Sequence, residues 1–180
     1  MKNYVKILLS VAVIAFSIIP TKAFQFPDVS IKHWAAAQID ILSDQGVIVG
    51  YPDGTFKPDD NVTRAEFASM AIKALGQEHT KVAQPVNFID ISSSYWAYDA
   101  IQKALYFDLI SCPKEGSLFR PDDNVSREEA TTVAVNALTT EQISMAKALE
   151  VLRKYSDVNS APKDFLIPAG KSEILNMIVV

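Results

Sequence analysis

The sequence predicts a mainly α protein of tandem helical modules, each made of two helices joined by a Gly/Asp loop. Three observations predict it. Asn61-Val-Thr63-Arg64-Ala-Glu66 returns as Asn124-Val-Ser126-Arg127-Glu-Glu129, each copy following a Phe-Lys/Arg-Pro-Asp-Asp run, Phe56 to Asp60 and Phe119 to Asp123. Upstream, Phe26-Pro-Asp28-Val-Ser is echoed by Phe88-Ile-Asp90-Ile-Ser, and Trp34 by Trp96, each six residues after its Asp. Between these landmarks the apolar residues recur at helical spacing. A repeat of about 62 residues marks an array of small modules, and such arrays characteristically bind rather than catalyse.

Residues 1–23 read as a secretory signal peptide. Lys2 and Lys6 flank an apolar run from Ile7 to Ile19, and Thr21 and Ala23 place small residues at −3 and −1 of a cleavage site after Ala23. The alternative, an uncleaved membrane anchor, asks for about 20 apolar residues. The chain has 17 basic and 21 acidic residues; losing the three lysines of the signal leaves 14 against 21, a net of −7. That acidic balance gives no footprint for nucleic acid. The lone Cys112 can form no internal disulfide and stands where the first repeat has Gly50, so it reads as a tolerated small residue.

The first module spans 24–76. Asp28 or Ser30 is expected to cap a first helix whose face is Trp34, Ala35, Gln38, Ile39 and Leu42, with Gly46 ending it. Val47-Ile-Val49 then leads into the turn Gly50-Tyr51-Pro-Asp53-Gly54-Thr-Phe56, around which a short β bridge fits. The second helix opens at Thr63, which forms a capping box with Glu66. Phe67, Met70, Ala71 and Ala74 form its expected buried stripe, and Gly76 closes it. Residues 77–87 read as a linker.

The second module spans 88–139. Tyr95, Trp96, Ile101 and Leu105 line its first helix, and Ser126 with Glu129 repeats the capping box. Its loop is degraded: Cys112 to Phe119 keeps Gly116 and Phe119 but loses the turn Asp and the Tyr. Residues 140–180 read as a linking helix, Glu141 to Lys154 with Ile143, Ala146, Leu149 and Leu152 in phase, followed by a partial third module. On the favoured alignment Tyr155-Ser-Asp157-Val echoes Phe26-Pro-Asp28-Val, and Asn176 to Val179 echoes Gly46 to Val49. A rival sets Lys171-Ser-Glu173 against Arg64-Ala-Glu66. Pro168 is expected to interrupt the helix on either alignment.

Trp34, the Gly50–Pro58 loop and Thr63-Arg64-Ala-Glu66 together resemble the S-layer homology (SLH) domain, closely over 26–76, well over 88–138 and partly over 141–180. The resemblance implies small helical modules, usually in threes, packed around a pseudo-threefold axis, here with the third module incomplete. It implies an exported protein held non-covalently on the bacterial cell wall or envelope. The implied partner is a pyruvylated secondary cell-wall polysaccharide or modified peptidoglycan.

The candidate carbohydrate-binding residues are Arg64, Arg127, Thr63, Ser126, Gly50, Tyr51, Asp53, Gly54, Asp28 and Asp90. Capping alone accounts for Thr63 and Ser126. Arg64 and Arg127 are another matter, because a cation in the first turn opposes the helix dipole at a cost of roughly 0.3–1 kcal/mol. Either a nearby acid (Glu66, Asp59 or Asp60) offsets that, or the guanidinium and the free amides meet an external anion such as a pyruvate carboxylate. Gly50, Asp53 and Gly54 make the turn and also allow a sugar ring close approach. Tyr51 and Phe56 can stack on a sugar, though Phe56 better plugs the core. Trp34 and Trp96 are assigned to core or intermodule packing, and Asp28 and Asp90 to helix caps first and sugar hydroxyls second. The acidic pairs lack EF-hand spacing, and no catalytic constellation or cofactor motif is suggested. The second reading is an interaction protein whose modules pair with SLH copies on other chains.

Overall fold

The computed structural model describes residues 25–110, 116–138 and 143–175. The expectations for residues 1–23, Cys112 and 176–179 fall outside them. Among the described residues there are six α-helices and no strand: α1 Ala36–Asp44, α2 Arg64–Ala74, α3 Tyr98–Tyr106, α4 Arg127–Leu138, α5 Met145–Leu152 and α6 Lys163–Ile174, with a 3-10 turn at Val158–Ser160. No helix among them is long and apolar enough to cross a membrane.

The helix ends follow local chemistry. Thr63 caps α2 as expected: its hydroxyl accepts from the Glu66 amide at 3.2 Å and its own amide donates to the Glu66 carboxylate at 2.8 Å. Ser126 and Glu129 do the same at 3.1 and 2.9 Å. At the other end of α1, Gly46 (φ 72°) lets its own amide reach Ser43 O and the Val47 amide reach Leu42 O, the double closure that needs a left-handed residue. Gly76 closes α2 in the same way. On α3 the position falls to Asp108, which takes φ 53° without glycine's freedom.

The helix starts of α1 and α3 correct the expectation. Neither Asp28 nor Ser30 caps α1. The helix begins at Ala36 behind Ala35, with no side-chain cap, and α3 begins behind Ala97 in the same fashion. Trp34 and Trp96 therefore precede the helices instead of lying on their inner faces. They are 86% and 61% exposed, not core. The buried face of α1 is Ala36, Ile39 and Ser43.

Two cores form. The smaller holds Phe26, Val29, Ala36, Ile39 and Ile48, with Phe56 and Met70 against it. The larger holds Phe88, Ile91, Ile101, Ala104, Leu105, Leu109, Phe119 and Val133 together with Ala65, Ala68 and Ile72 of α2. So α2 serves both. Its fully buried residues are Ala65, Ala68 and Ile72, while the expected stripe sits at the margins and Ala74 is exposed. The small residues let α2 approach α3 closely, and α4 packs on α6. The 77–87 segment is fastened, not loose. The Gln102 amide bonds both Val86 N and Val86 O, at 2.7 and 2.8 Å, and the buried Lys103 ammonium donates to Glu78 O and Asp99.

In the last third, Ser144 caps α5, and Ala148 and Leu152 are buried, whereas Ala146 and Leu149 are exposed. Pro168 does not interrupt α6. The helix runs through it although a proline interior to a helix removes one amide donor, and Pro168 is buried there. Lys171 and Glu173 fall in the last turn of α6, whereas the rival alignment requires a helix start there. Gly170 brings α6 against α5; a Cβ there would lie 2.8 Å from both Cα and Cβ of Ala148.

Candidate functional site

The acids of the two Phe-x-Asp motifs act at long range. Asp28 accepts from the Phe56 amide at 2.9 Å and the Lys57 amide at 2.7 Å. Asp90 accepts from Phe119 at 2.9 Å and Arg120 at 2.6 Å. Lys57 and Arg120 both occupy the left-handed region, at φ 57° and 58°, so the carboxylate holds a backbone that a non-glycine residue rarely adopts. Partial desolvation pushes each carboxyl up, but the paired amides outweigh it, and both Asp28 and Asp90 sit below the usual carboxylate range. Phe26 packs tilted against Phe56 with centroids 5.3 Å apart, and Phe88 against Phe119 at 5.5 Å. These two acids are latches between motif and loop, a role hidden from the sequence because the partner amides lie 28–30 residues downstream.

The Gly50–Phe56 turn is closed by Tyr51 N to Thr55 O at 2.8 Å and Gly54 N to Tyr51 O at 2.9 Å. Asp53 accepts from both the amide and the hydroxyl of Thr55. Gly50 is fixed twice over: its φ is +68°, and a Cβ would lie 2.4 Å from the Phe26 ring and 2.7 Å from Thr55 O. Tyr51 donates to the Glu66 carboxylate at 2.9 Å, tying the turn to the capping box. Burial first, then Glu66, raises the phenol above its ordinary value. Glu66 is raised by burial but carried below its ordinary value by the Thr63 amide and the Tyr51 hydroxyl. Lys57 lies over the Tyr51 ring at 4.3 Å.

Arg64 is where the repeats meet. Its amide donates to Asp123 O at 2.9 Å, the next amide, Ala65, to Pro121 O at 3.0 Å, and Val125 N to Val62 O at 2.9 Å, around an antiparallel bridge between Thr63 and Asn124. The Arg64 side chain follows. Nε donates to Phe119 O at 3.0 Å, the guanidinium lies 4.7 Å over the Phe119 ring, and it is ion-paired with Glu129. Its acid is thus the capping glutamate of the next repeat, not Glu66, Asp59 or Asp60. Burial, and then the neighbouring Arg120 charge, hold Arg64 below its usual pKa. A cleft of about 230 Å³ runs beside it, lined among others by Glu128, Glu129, Asp164 and Phe165, an acidic setting for a ligand carboxylate.

Arg127, the equivalent residue, differs. It is exposed, and among the described residues no acid pairs with it and no carbonyl of another segment accepts from its amide or from that of Glu128. It borders a cleft of about 420 Å³ between the first turns of α4 and the residues Leu152, Tyr155, Phe165 and Glu173. Glu173 is taken by Lys154 at 2.5 Å and by the Tyr155 hydroxyl at 2.6 Å. Thus Thr63, Ser126, Gly50, Tyr51, Asp53, Gly54, Asp28, Asp90 and Arg64 all have internal partners or conformational duties, and of the ten only the Arg127 side chain has no partner among the described residues. What the sequence reading missed is the exposed pair Trp34 and Trp96, whose rings lie 5.7 Å from His33 and 5.8 Å from Tyr95.

The sequence model of the S-layer homology domain family matches residues 25–68 and 87–131. A cellulosome-anchoring protein of Acetivibrio thermocellus is 34% identical over 119 residues, covering 63% of this chain and 26% of that protein. An S-layer protein of Bacillus licheniformis is 38% identical over 111 residues, 57% of this chain and 12% of its own length. An endoglucanase of a Bacillus species is 36% identical over 141 residues, 78% of this chain and 14% of its own. The chain spans about a quarter or less of each of these relatives.

Proposed function

This chain belongs to the S-layer homology domain family, and on that premise we propose that it is a non-catalytic module that anchors to the bacterial cell envelope by holding a charged wall glycan. Relatives named for quite different work, an endoglucanase and a cellulosome-anchoring protein, share this stretch. That one stretch recurs in proteins of such different work supports a means of attachment over a reaction. The glycan is a pyruvylated secondary polysaccharide or modified peptidoglycan.

One observation carries the reading. Two tryptophans, at equivalent places in the two repeats, stand in water at 86% and 61% exposure. Each forgoes the roughly 1.5–3 kcal/mol that burying a large apolar side chain provides. An exposed indole beside a second ring is a flat, amphipathic platform for the C–H face of a sugar. In the first repeat the latch from Asp28 sets the Tyr51–Lys57 loop on the same module, and Lys57, exposed and only loosely paired with Asp53 at 4.0 Å, supplies a cation for an acidic polymer. Arg64 is withdrawn from that role because its guanidinium is already spent inside.

The test is pelleting with purified wall sacculi. The parent protein is expected to pellet, and to stop when secondary polysaccharide is removed by acid. A Trp34→Ala/Trp96→Ala double variant is expected to lose most of its pelleting while its stability stays within about 1 kcal/mol of the parent, since both rings are largely exposed and each meets a single neighbouring ring. Undiminished pelleting by the double variant refutes the reading.

A further inference from the structure

The two exposed indoles are not supported alike. Before α1, His33 lies beside Trp34 with ring centroids 5.7 Å apart and planes tilted by 35°. Its Nδ1 accepts from the Ala35 amide at 3.3 Å. A ring nitrogen that accepts carries no proton, so the proton of the neutral imidazole is assigned to Nε2. No partner for Nε2 occurs among the described residues. The backbone on either side is fixed as well: His33 N donates to Ser30 O at 2.8 Å, and Ala36 N to His33 O at 3.0 Å. The half-buried ring is thus held in place with one donor unspent. Before α3 the equivalent ring is Tyr95, 5.8 Å from Trp96 and tilted by 43°. Its hydroxyl donates to Asp122 at 2.9 Å. The second repeat satisfies its donor inside the module; the first does not.

Resting on the reading that the indoles are sugar platforms, we infer that His33 is a specificity-determining residue of the first repeat. Its Nε2–H donates to an acceptor oxygen on the rim of a sugar lying on Trp34. A pyranose stacked through its C–H face directs its equatorial hydroxyls outward, past the edge of the indole and towards the neighbouring ring. Stacking alone tolerates many sugars and many rotations, because an aromatic face has no polar contact to satisfy. A donor of set direction beside the platform removes that tolerance. A sugar without an oxygen in the right place leaves the N–H unmet, and an unmet polar group discriminates more strongly than an apolar surface can. Trp96, beside a phenol already bonded to Asp122, offers area without that requirement. The first repeat therefore selects, and the second adds grip. The bond to Ala35 also serves α1, which begins without a side-chain cap, but that duty needs only Nδ1.

The experiment measures pelleting isotherms of the full chain with purified wall sacculi in a Trp96→Ala background, where only the first platform remains. His33→Asn keeps an acceptor near the Nδ1 position for the Ala35 amide and withdraws the donor at the tip of the ring. His33→Gln keeps a donor near that tip. His33→Asn is expected to weaken binding about three- to tenfold, the worth of one neutral hydrogen bond, and His33→Gln to recover most of it. The loss should persist in about 0.5 M salt, because a neutral donor is not screened. Thermal unfolding of both variants should match the background. Binding by His33→Asn equal to the background overturns the inference, since His33 would then only support Ala35. So does an equal loss in His33→Gln, or a loss that vanishes at high salt and marks the ring as a cation. Adding Trp34→Ala to the same background tests the platform itself. Undiminished pelleting there removes the platform and the role of His33 with it, whereas a loss there beside an indifferent His33→Asn removes the role of His33 alone.

Discussion

Arg64→Ala is the perturbation that best separates a structural arginine from a ligand-binding one. The side chain is 18% exposed and its partner Glu129 36%. Three contacts go with it. A hydrogen bond from a charged donor to Phe119 O contributes about 1.5–3 kcal/mol. The ion pair, with a carboxylate more than a third exposed, contributes about 0.2–1 kcal/mol. The cation over the Phe119 ring contributes about 0.5–1 kcal/mol. These share one side chain and do not add fully, and removing a cation from the positive end of α2 returns roughly 0.3–1 kcal/mol. The expected net loss is about 2–3 kcal/mol, which for a chain of this size lowers Tm by about 5–10 °C. Arg127→Ala is the internal control: same residue, same helix position, no side-chain partner among the described residues. It should fall within about 0.5 kcal/mol of the parent. Thermal unfolding followed by circular dichroism at 222 nm reads both. If the two variants melt within a degree or two of each other, the clasp at the start of α2 contributes nothing and the asymmetry between the repeats is not energetic.

Two further outcomes follow from the packing and the latches. Gly170→Ala drives a methyl into the backbone and side chain of Ala148 at 2.8 Å; overpacking of this kind costs about 1–3 kcal/mol, visible as a lower urea midpoint, and an unchanged midpoint would show that α5 and α6 slide apart freely. Asp28, Asp90 and Glu66 have folded pKa values below their unfolded ones. The unfolded chain therefore binds more protons once the pH drops to the ordinary carboxylate range near 4. Stability should be level above about pH 5 and fall as the pH passes through 4 and below the depressed values. A urea midpoint constant from pH 6 to pH 3 would contradict it.

Features fixed by neighbours in sequence were legible in advance. The two capping boxes need only residues three apart, and Gly46 and Gly76 sit where a helix must stop. What depended on distant chain was misread. Asp28 and Asp90 look like caps because the amides they hold lie in another part of the module. Arg64 has three acids nearby in sequence and binds a fourth, Glu129, across the repeat. The tryptophans fit a helical period that starts two residues too early; once α1 and α3 begin at Ala36 and Tyr98, both rings fall outside. On α2 the larger side chains suggested the buried stripe, yet the tightest face is Ala65, Ala68 and Ile72. No pattern within one helix reveals that a second core will press against its small residues.

The double allegiance of α2 bears on how such an array can be cut. By sequence it is the closing element of the first copy; by interior it is a wall of the second. A truncation between the copies would strip that wall and leave Phe88, Ile101 and Leu105 facing water. The stretch that gene duplication multiplies and the body that folds are out of step by one helix. A lineage that sheds a copy must therefore keep its neighbour's helix, or replace it.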